Sequence, residues 1–259
     1  MPPRTAGRVT RLIVSGGPLR PGVLVVPKDA ARHAWVARVR PGERLEVLNL
    51  QGAVASAVLV GWQQGACVVE IGEVERERGE PPGPLVLALG VLHTEAFSWA
   101  VEKATELGAT AIQPVLCARV QRRDHRARGA RWQRIAAAAV AQCGRSRCPE
   151  VLQPRPLAEV CSAAVGTRWF ADFEPEGERV VQGDTAAGAT VLVGPEGGFT
   201  ADEVQRVRAA GFSGLWLGPR TLRAETAALA ALVLAQQRLG WLGAADHPSA
   251  ARPRKAGVG

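Results

Sequence analysis

The sequence predicts a mixed α/β protein in which a small β-barrel precedes a larger α/β domain with a parallel sheet. Two patterns lead to this class. Short apolar runs separated by Gly and Pro fill residues 8–75, which is typical of small barrels. From residue 85 onward, apolar runs of buried-strand type alternate with amphipathic helices, which is typical of parallel strands joined by right-handed helical crossovers.

The N-terminal part contains five strand-like runs and one helix. The helix is DAARHAWVARV, and Asp29 is its expected N-cap. The strand runs are RLIV, GVLVV, ERLEVLNL, AVASAVLVGW and ACVVEIGEV. A polar stretch rich in Pro and Gly follows. We therefore expect a barrel domain at 1–75, a linker at 76–84, an α/β domain at 85–242 and a disordered tail at 243–259.

The C-terminal part opens with a strand–helix–strand unit. The strand PLVLALGVL is followed by the helix EAFSWAVEKATELG, which Gly108 ends, and then by the strand ATAIQPVL. An alanine-rich helix is expected at about 131–142. Thr200 and Glu203 form a capping box at the start of a later helix. The remaining strands are RWFADF, ATVLVG and GLWLG, and the last helix is TLRAETAALAALVLAQQRLG.

Composition narrows the class of partner. The net charge is +8 and the isoelectric point about 10.2, which favours an anionic partner, most simply a nucleic acid. A GC-rich genome would explain arginine in place of lysine, but not the surplus over acids. The five cysteines show no metal-binding spacing, so we expect no metal. We also expect no membrane span and no secretory signal, and hence a cytoplasmic protein.

Two Gly-Pro loops, each at the end of an apolar run, predict one pocket. They are VLVGPEGGFT and LGPRTLRAETAALA, at 191–200 and 217–230. Ligands of open α/β sheets bind beyond the carboxyl ends of the strands, and we expect these two strand ends to be neighbours. Neither loop has a familiar phosphate-binding motif, so a dinucleotide or triphosphate is not the expected ligand. Ordinary βα turns are the alternative interpretation.

An arginine cluster predicts a phosphate-binding surface. It places seven arginines and His125 within a 16-residue stretch. A solvated basic face is the alternative. The arginines are Arg119, Arg122, Arg123, Arg126, Arg128, Arg131 and Arg134. The seven tryptophans are scattered, and we predict no base-stacking platform among them.

Four motifs now carry a resemblance to a known family. KATELGATAIQPV, AQCGRSRCPEV, VGPEGGFTADEV and LGPRTLRAETAALAAL resemble, in this order, motifs of the RsmE family. These are bacterial 16S ribosomal RNA uridine-N3 methyltransferases of the SPOUT superfamily. The resemblance runs from about residue 10 to 241. RLIV and RHAWVARVRPGERLEV look more loosely like that family's PUA-like RNA-binding domain.

The resemblance implies a SPOUT α/β domain with a C-terminal trefoil knot, whose loops bind S-adenosylmethionine, and a homodimer whose interface borders that pocket. The implied substrate is 16S rRNA, within the assembled 30S subunit. Two alternatives stay open: a non-catalytic RNA-binding or ribosome-assembly factor, and a SPOUT methyltransferase acting on tRNA.

The implied cofactor site can be transferred residue by residue. Two roles remain possible for Glu196. Its carboxylate would bind a ribose hydroxyl or the cofactor amino group, or it would form hydrogen bonds that hold its own loop. The cofactor-binding residues would be Gly194, Pro195, Glu196, Gly197, Gly198, Leu217, Gly218, Leu222 and Thr226. Backbone groups of such loops can bind adenine and ribose without charged side chains.

Arg223 and Glu225 are the expected catalytic residues. N3 of uracil carries a proton at neutral pH, so catalysis must remove it and align the nitrogen with the methyl group. The Arg223 guanidinium would stabilise the developing uracil anion. Glu225 would act as base or hold Arg223. A structural Arg–Glu pair is the alternative.

Further RNA contacts are expected at Arg11, Arg38 and Arg40, since Arg11 stands at the family's N-terminal arginine position. Gln142 and Arg145 match the family's Gln-x-x-Arg motif, and we expect them also to contact RNA, near the pocket or the dimer interface. The glutamates that precede this motif in the family are replaced here by IAAAAVAQ, which puts an acidic role for that helix in doubt.

Overall fold

The computed structural model describes residues 9–15, 17–120, 128–172 and 187–242, so the expected tail at 243–259 lies outside the described residues. The chain divides into two compact units. The first contains residues 1–80 and 140–148, and the second contains 81–139 and 149–259.

The first unit is built on a five-stranded sheet of order β1-β3-β4-β5-β2. Its strands are β1 (Arg11–Ile13), β2 (Gly22–Val26), β3 (Arg44–Leu48), β4 (Ala53–Gln63) and β5 (Ala66–Arg76). The β1–β3 pair is parallel and the other pairs are antiparallel. Among the described residues no ladder joins β1 to β2, so a closed barrel is not confirmed.

Helix α1 (Lys28–Val36) packs on this sheet through the buried Ala31 and Ala34. The prediction that Asp29 caps this helix is wrong. Pro27 occupies the N-cap position, no side chain caps the helix, and Asp29 lies in the first turn. Proline fits a helix start because its missing N–H is not needed there, while a carboxylate in the first turn still interacts favourably with the helix dipole.

Residues 140–148 complete the first unit, although they are far from it in sequence. Gly52 N–H donates to Ser146 O at 3.0 Å, and Cys148 N–H donates to Leu50 O at 3.1 Å. The Glu80 carboxylate accepts from Ser146 N at 2.9 Å, Arg147 N at 2.8 Å and Arg145 Nη2 at 2.6 Å. The stretch expected to be a linker thus supplies a carboxylate that holds the 145–147 backbone.

The second unit is built on a parallel sheet of order β12-β10-β11-β6-β7-β8, with β9 also paired to β7. The strands are β6 (Leu85–Gly90), β7 (Ala111–Leu116), β8 (Glu150–Val151), β9 (Arg155–Pro156), β10 (Thr167–Asp172), β11 (Ala189–Val193) and β12 (Ser213–Trp216). The helices are α2 (Thr94–Glu106), α3 (Gly129–Cys143), α4 (Leu157–Ala163), α5 (Ala201–Ala209) and α6 (Ala224–Arg238); the last residues of α3 belong to the first unit.

Several predicted elements of the second unit are confirmed. Strands β6 and β7 are parallel neighbours with α2 between them in sequence. Gly108 follows the C-cap residue Leu107 at a φ of 89°, a conformation that favours glycine. Thr200 and Glu203 form the capping box of α5. The mixed α/β class is therefore confirmed.

None of the five cysteines, all of which lie in the described part of the chain, forms a disulfide. None of the helices in the described part of the chain combines the length and apolarity that a membrane crossing requires.

The Glu80 carboxylate provides a stability test. Glu80 and Arg145 have side chains that are 6% and 5% exposed. Replacing Glu80 with alanine leaves a buried guanidinium without this carboxylate, so we expect the free energy of unfolding to fall by about 3–5 kcal/mol in urea titrations.

Glu77→Ala is the matched control. The Glu77–Arg147 pair has side chains that are 53% and 52% exposed, and such pairs contribute no more than about 1 kcal/mol. Equal losses in the two variants would show that burial does not distinguish these ion pairs.

Candidate functional site

A cavity of about 860 Å³ opens at the carboxyl edge of the parallel sheet of the second unit. Its size is within the range of small-molecule sites. Because all strands of this sheet are parallel, the residues that follow β6, β11 and β12 reach the same edge as the end of β10. Most of the cavity wall comes from these four strand ends and the start of α6, with Arg119 after β7 and Val204 of α5 completing it.

Eight of the nine expected cofactor-binding residues line this cavity. They are Gly194, Pro195, Glu196, Gly197, Gly198, Leu217, Gly218 and Leu222. Thr226 does not line it and lies exposed on α6. The two Gly-Pro loops therefore do share one pocket.

The strands that carry these loops are not direct neighbours, contrary to the sequence-based expectation. Strand β10 lies between β11 and β12 and pairs with both. Its last residues, Phe170, Ala171 and Asp172, form the cavity wall between the two loops. Sequence order gives no indication of this insertion, because β10 precedes both loops along the chain.

Three contacts fix the conformation of the 194–198 loop. Gly198 N–H donates to Pro195 O at 2.8 Å, and Gly198 has a φ of 67°. Arg119 Nη1 donates to Gly197 O at 2.8 Å. Glu196 Oε1 accepts from His93 N at 3.0 Å, just before α2. The Glu196 carboxylate thus holds its loop against the turn after β6.

Gly90 lets this loop approach the sheet. A Cβ at Gly90, the last residue of β6, would lie 2.6 Å from Pro195 Cδ and 2.8 Å from the carbonyl carbon of Gly194. These are distances that real Cβ atoms do not adopt, and the atoms they meet are backbone and a rigid ring. The position therefore requires glycine for close approach of two backbones.

Arg223 and Glu225 both line the cavity, at the start of α6. Arg223 is the N-cap residue, and its carbonyl accepts from Ala227 N at 2.8 Å. The Arg223 guanidinium and the Glu225 carboxylate form no ion pair with each other in the described structure. The catalytic roles of Arg223 and Glu225 stay predictions.

Other ionisable side chains in the wall were not identified from the sequence. They are His93, Arg220 and Asp172, while Arg119 was expected only as an RNA contact. Asp172 also binds Arg208 Nη2 at 2.9 Å. The rule that ligands bind beyond strand ends would have found Asp172, because it ends the strand RWFAD.

Cys117 is buried two residues before the cavity residue Arg119. Burial, and to a lesser degree the nearby Glu203 charge, raises the pKa of the Cys117 thiol to about 12. A thiol of this kind does not provide a thiolate nucleophile at neutral pH. Within the described residues, no group of three or more His, Cys, Asp or Glu side chains is placed to hold a metal ion.

The expected RNA contacts have different surroundings. Arg122, Arg123 and Arg126 lie outside the described residues. Arg38, Arg40 and Gln142 are exposed in the first unit. Arg119 is exposed in the second unit, at the cavity wall.

Arg11 and Arg145 are engaged within the first unit. Arg11 donates to Glu46 at 2.8 Å and to the carbonyls of Ala141 and Gln142 at 2.9 and 2.8 Å. Burial raises the pKa of Glu46, but hydrogen bonds from Arg78 and Arg11 outweigh it and hold the pKa below its ordinary value. Arg145 is buried against Glu80. These contacts favour a structural role for both arginines.

Comparison with known proteins gives the class first. Residues 79–236, more than half of the chain, match the family model of an RNA methyltransferase domain. The solved structure of a ribosomal RNA small subunit methyltransferase E from Neisseria gonorrhoeae, bound to S-adenosyl methionine, has a TM-score of 0.80 and 31% identity. That match covers 89% of this chain and 98% of the other.

Curated relatives with the same name give the particular family. The one from Mycobacterium tuberculosis is 34% identical and the match covers 81% of this chain and 84% of the relative. The one from Bacillus subtilis is 30% identical, with 76% and 82% covered. The chain belongs to the ribosomal RNA small subunit methyltransferase E family. The expectation of a methyltransferase of this family is thereby confirmed.

Gly90→Ala tests the close approach of β6 and the 194–198 loop. The added methyl group must displace Pro195, so we expect a loss of about 1–3 kcal/mol in the free energy of unfolding and faster hydrogen exchange of the loop amides. Gly61→Ala is the control, because a Cβ at Gly61 meets no atom within 4 Å. Unchanged exchange in the Gly90 variant would contradict the proposed packing.

Proposed function

We propose that this protein transfers the methyl group of S-adenosylmethionine to N3 of a uridine in 16S rRNA. One observation carries the proposal: two Gly-Pro loops enclose a single cavity in which Arg223 and Glu225 face the ligand space. The Neisseria gonorrhoeae relative, which matches over most of both chains, holds S-adenosyl methionine. The choice of N3 and of uridine rests on the family resemblance.

The cavity fits the cofactor in size and chemistry. Its volume of about 860 Å³ accommodates a nucleoside with an amino-acid tail. The glycines of the 194–198 loop and Gly218 leave backbone groups accessible for adenine and ribose. The wall contains arginines as well as carboxylates, and a sulfonium cation would be favoured beside Asp172 and Glu225. When bound, the cofactor supplies an electrophilic methyl group.

The residues of the chain would prepare the uracil for attack. The N3–H proton has to leave, and Glu225, which lines the cavity, is the proposed acceptor. Arg223 would donate to a uracil carbonyl oxygen and stabilise the negative charge that develops as the proton leaves. The N3 electron pair then forms the bond to the methyl carbon, and the carbon–sulfur bond breaks to leave a neutral thioether.

The finer features of the fold are part of this proposal. In the order β12-β10-β11, the last strand, β12, pairs with β10 and not with β11, which precedes it in the sequence. This pairing order is consistent with a C-terminal trefoil knot of the SPOUT type. The five-stranded first unit would be the PUA-like RNA-binding domain. The proposed functional boundaries are 1–75 for the RNA-binding domain, 76–84 for the linker and 85–242 for the methyltransferase domain, except that residues 140–148 belong to the first unit.

We also propose a homodimer that packs through α6. Buried alanines on one side of this helix pack in the second unit, while Val233 on the opposite side is 41% exposed. Thr226 and Gln237 are exposed on that same side, at helical spacing from Val233. A second copy would cover this face, which begins beside the cavity.

RNA contacts are proposed at Arg38, Arg40 and Gln142 of the first unit and at Arg119 of the second. The expected contacts Arg122, Arg123 and Arg126 lie outside the described residues. Arg11 and Arg145 would support the contacts of the first unit by holding residues 140–148 in place. A ribosomal substrate, whether naked RNA or the assembled 30S subunit, would place the protein in the cytoplasm.

Two alternative functions give different results when labelled methyl transfer to rRNA and to tRNA is measured. An assembly factor without activity would bind rRNA but transfer no methyl group, and a tRNA enzyme would label tRNA.

Arg223→Ala is expected to keep S-adenosylmethionine affinity within a few-fold but to lose at least about a hundredfold in methyl transfer, because charge stabilisation of the uracil anion is removed. Calorimetry and transfer of labelled methyl groups to small-subunit rRNA measure the two effects. Arg206→Ala, on the exposed side of α5, is the charge-matched control. Unchanged turnover of the Arg223 variant would rule out its assigned role.

A further inference from the structure

Helix α1 of the first unit presents a tryptophan to solvent. Trp35 is 62% exposed, while Ala31 and Ala34 of the same helix are buried. The helix is therefore anchored by small residues on its inner side, and a large aromatic ring stands on its outer side. This feature is not expected from the sequence, in which the tryptophans looked scattered.

The Trp35 ring is held in a fixed orientation. Its centroid lies 5.0 Å from that of Trp62, and the ring planes are 86° apart. Trp62 lies near the end of β4 and packs against the core of the first unit. Edge-to-face packing of this kind is favourable and limits rotation of the exposed ring. A ligand that stacks on Trp35 would meet a surface that is already ordered.

Basic side chains lie on the same side of the helix. Lys28 and Arg32 precede Trp35 at i−7 and i−3, and both are exposed. The aliphatic part of Lys28 lies over the β4–β5 turn, since a Cβ at Gly65 would be 3.0 Å from Lys28 Cδ. Arg38 lies just beyond the C-cap residue Ala37 and is also exposed. On the helix itself, Lys28 and Arg32 place cations beside the ring.

We propose that Trp35 is a stacking site for an unpaired base of RNA, with Lys28 and Arg32 contacting the phosphates on either side. An aromatic ring with adjacent cations is the arrangement by which proteins bind single-stranded RNA, because the ring stacks on a base and the cations neutralise the backbone. The charge of this face favours RNA over an apolar protein partner. The inference rests on the proposed function only in taking RNA as the substrate.

The test measures binding of the full chain to a labelled single-stranded RNA of about ten nucleotides, a length within the range that such sites cover. We expect Trp35→Ala and Trp35→Leu to weaken binding by about five- to a hundredfold. Trp35→Phe keeps an aromatic face and is expected to stay within about threefold. Trp99→Ala, at a tryptophan that is 43% exposed on α2 of the second unit, is the control and should bind as the unmodified protein does.

The salt dependence of RNA affinity distinguishes the contribution of base stacking from that of phosphate contacts. Trp35→Leu should lower affinity without changing the slope of log affinity against log salt, whereas Arg32→Ala should reduce that slope by about one phosphate contact. Thermal unfolding checks that each variant is folded, and the leucine variant retains apolar contact with Trp62 if the alanine variant is unstable.

Two results would overturn the stacking site. One is unchanged RNA affinity of the Trp35→Leu variant, and the other is a loss of affinity in Trp35→Phe as large as that in Trp35→Leu. If Trp35 variants instead lose association with a ribosomal protein while RNA binding is unchanged, the site is a protein contact and the proposal is wrong. Calorimetry with S-adenosylmethionine is independent of this surface. Failure of cofactor binding would therefore contradict the proposed function and leave the stacking result intact.

Discussion

The contact between Gly90 and the 194–198 loop is the constraint on which the site depends. A parallel sheet brings many strand ends to one edge, but it does not by itself enclose a cavity. Here the loop after β11 folds back over the end of β6 at a separation that leaves no space for a side chain at Gly90. The Glu196 carboxylate then accepts a hydrogen bond from the His93 amide, and the Arg119 guanidinium donates one to the Gly197 carbonyl of the loop. The cavity wall is therefore preformed, which reduces the ordering cost of binding a flexible ligand.

In the first unit, a few charged side chains hold residues 140–148 in place through hydrogen bonds to the backbone. Arg11 and Arg78 bind the carbonyls at the end of α3, while Glu80 binds the amides that follow. Each charged group satisfies backbone groups that a helix end leaves unpaired. Arginine often indicates nucleic-acid binding in a sequence, but Arg11 and Arg78 here form hydrogen bonds within the first unit. The exposed cations of α1 and the adjacent turn are better candidates for RNA contact than the buried Arg145.

Much of the second unit could be predicted from the sequence, because its signals are local. The alternation of β6, α2 and β7, the capping box at Thr200 and the two Gly-Pro loops depend on residues close together in the chain. The position of β10 between β11 and β12 could not be predicted, since pairing order depends on contacts over long sequence separations. For the same reason Arg11 and Arg145 were interpreted as RNA contacts: their acceptors, Glu46 and Glu80, lie 35 and 65 residues away. Asp29 shows a local error, in which a favourable capping residue was overridden by the proline two positions earlier.

The most direct test of the central claim is a crystal structure of this protein with S-adenosylmethionine. We expect the cofactor to lie between the 194–198 loop and the 217–222 loop, with its methyl group directed toward Arg223 and Glu225 and its adenine held by backbone groups. Binding elsewhere on the chain, or a cavity that stays empty at saturating cofactor, would contradict the assignment of these two loops.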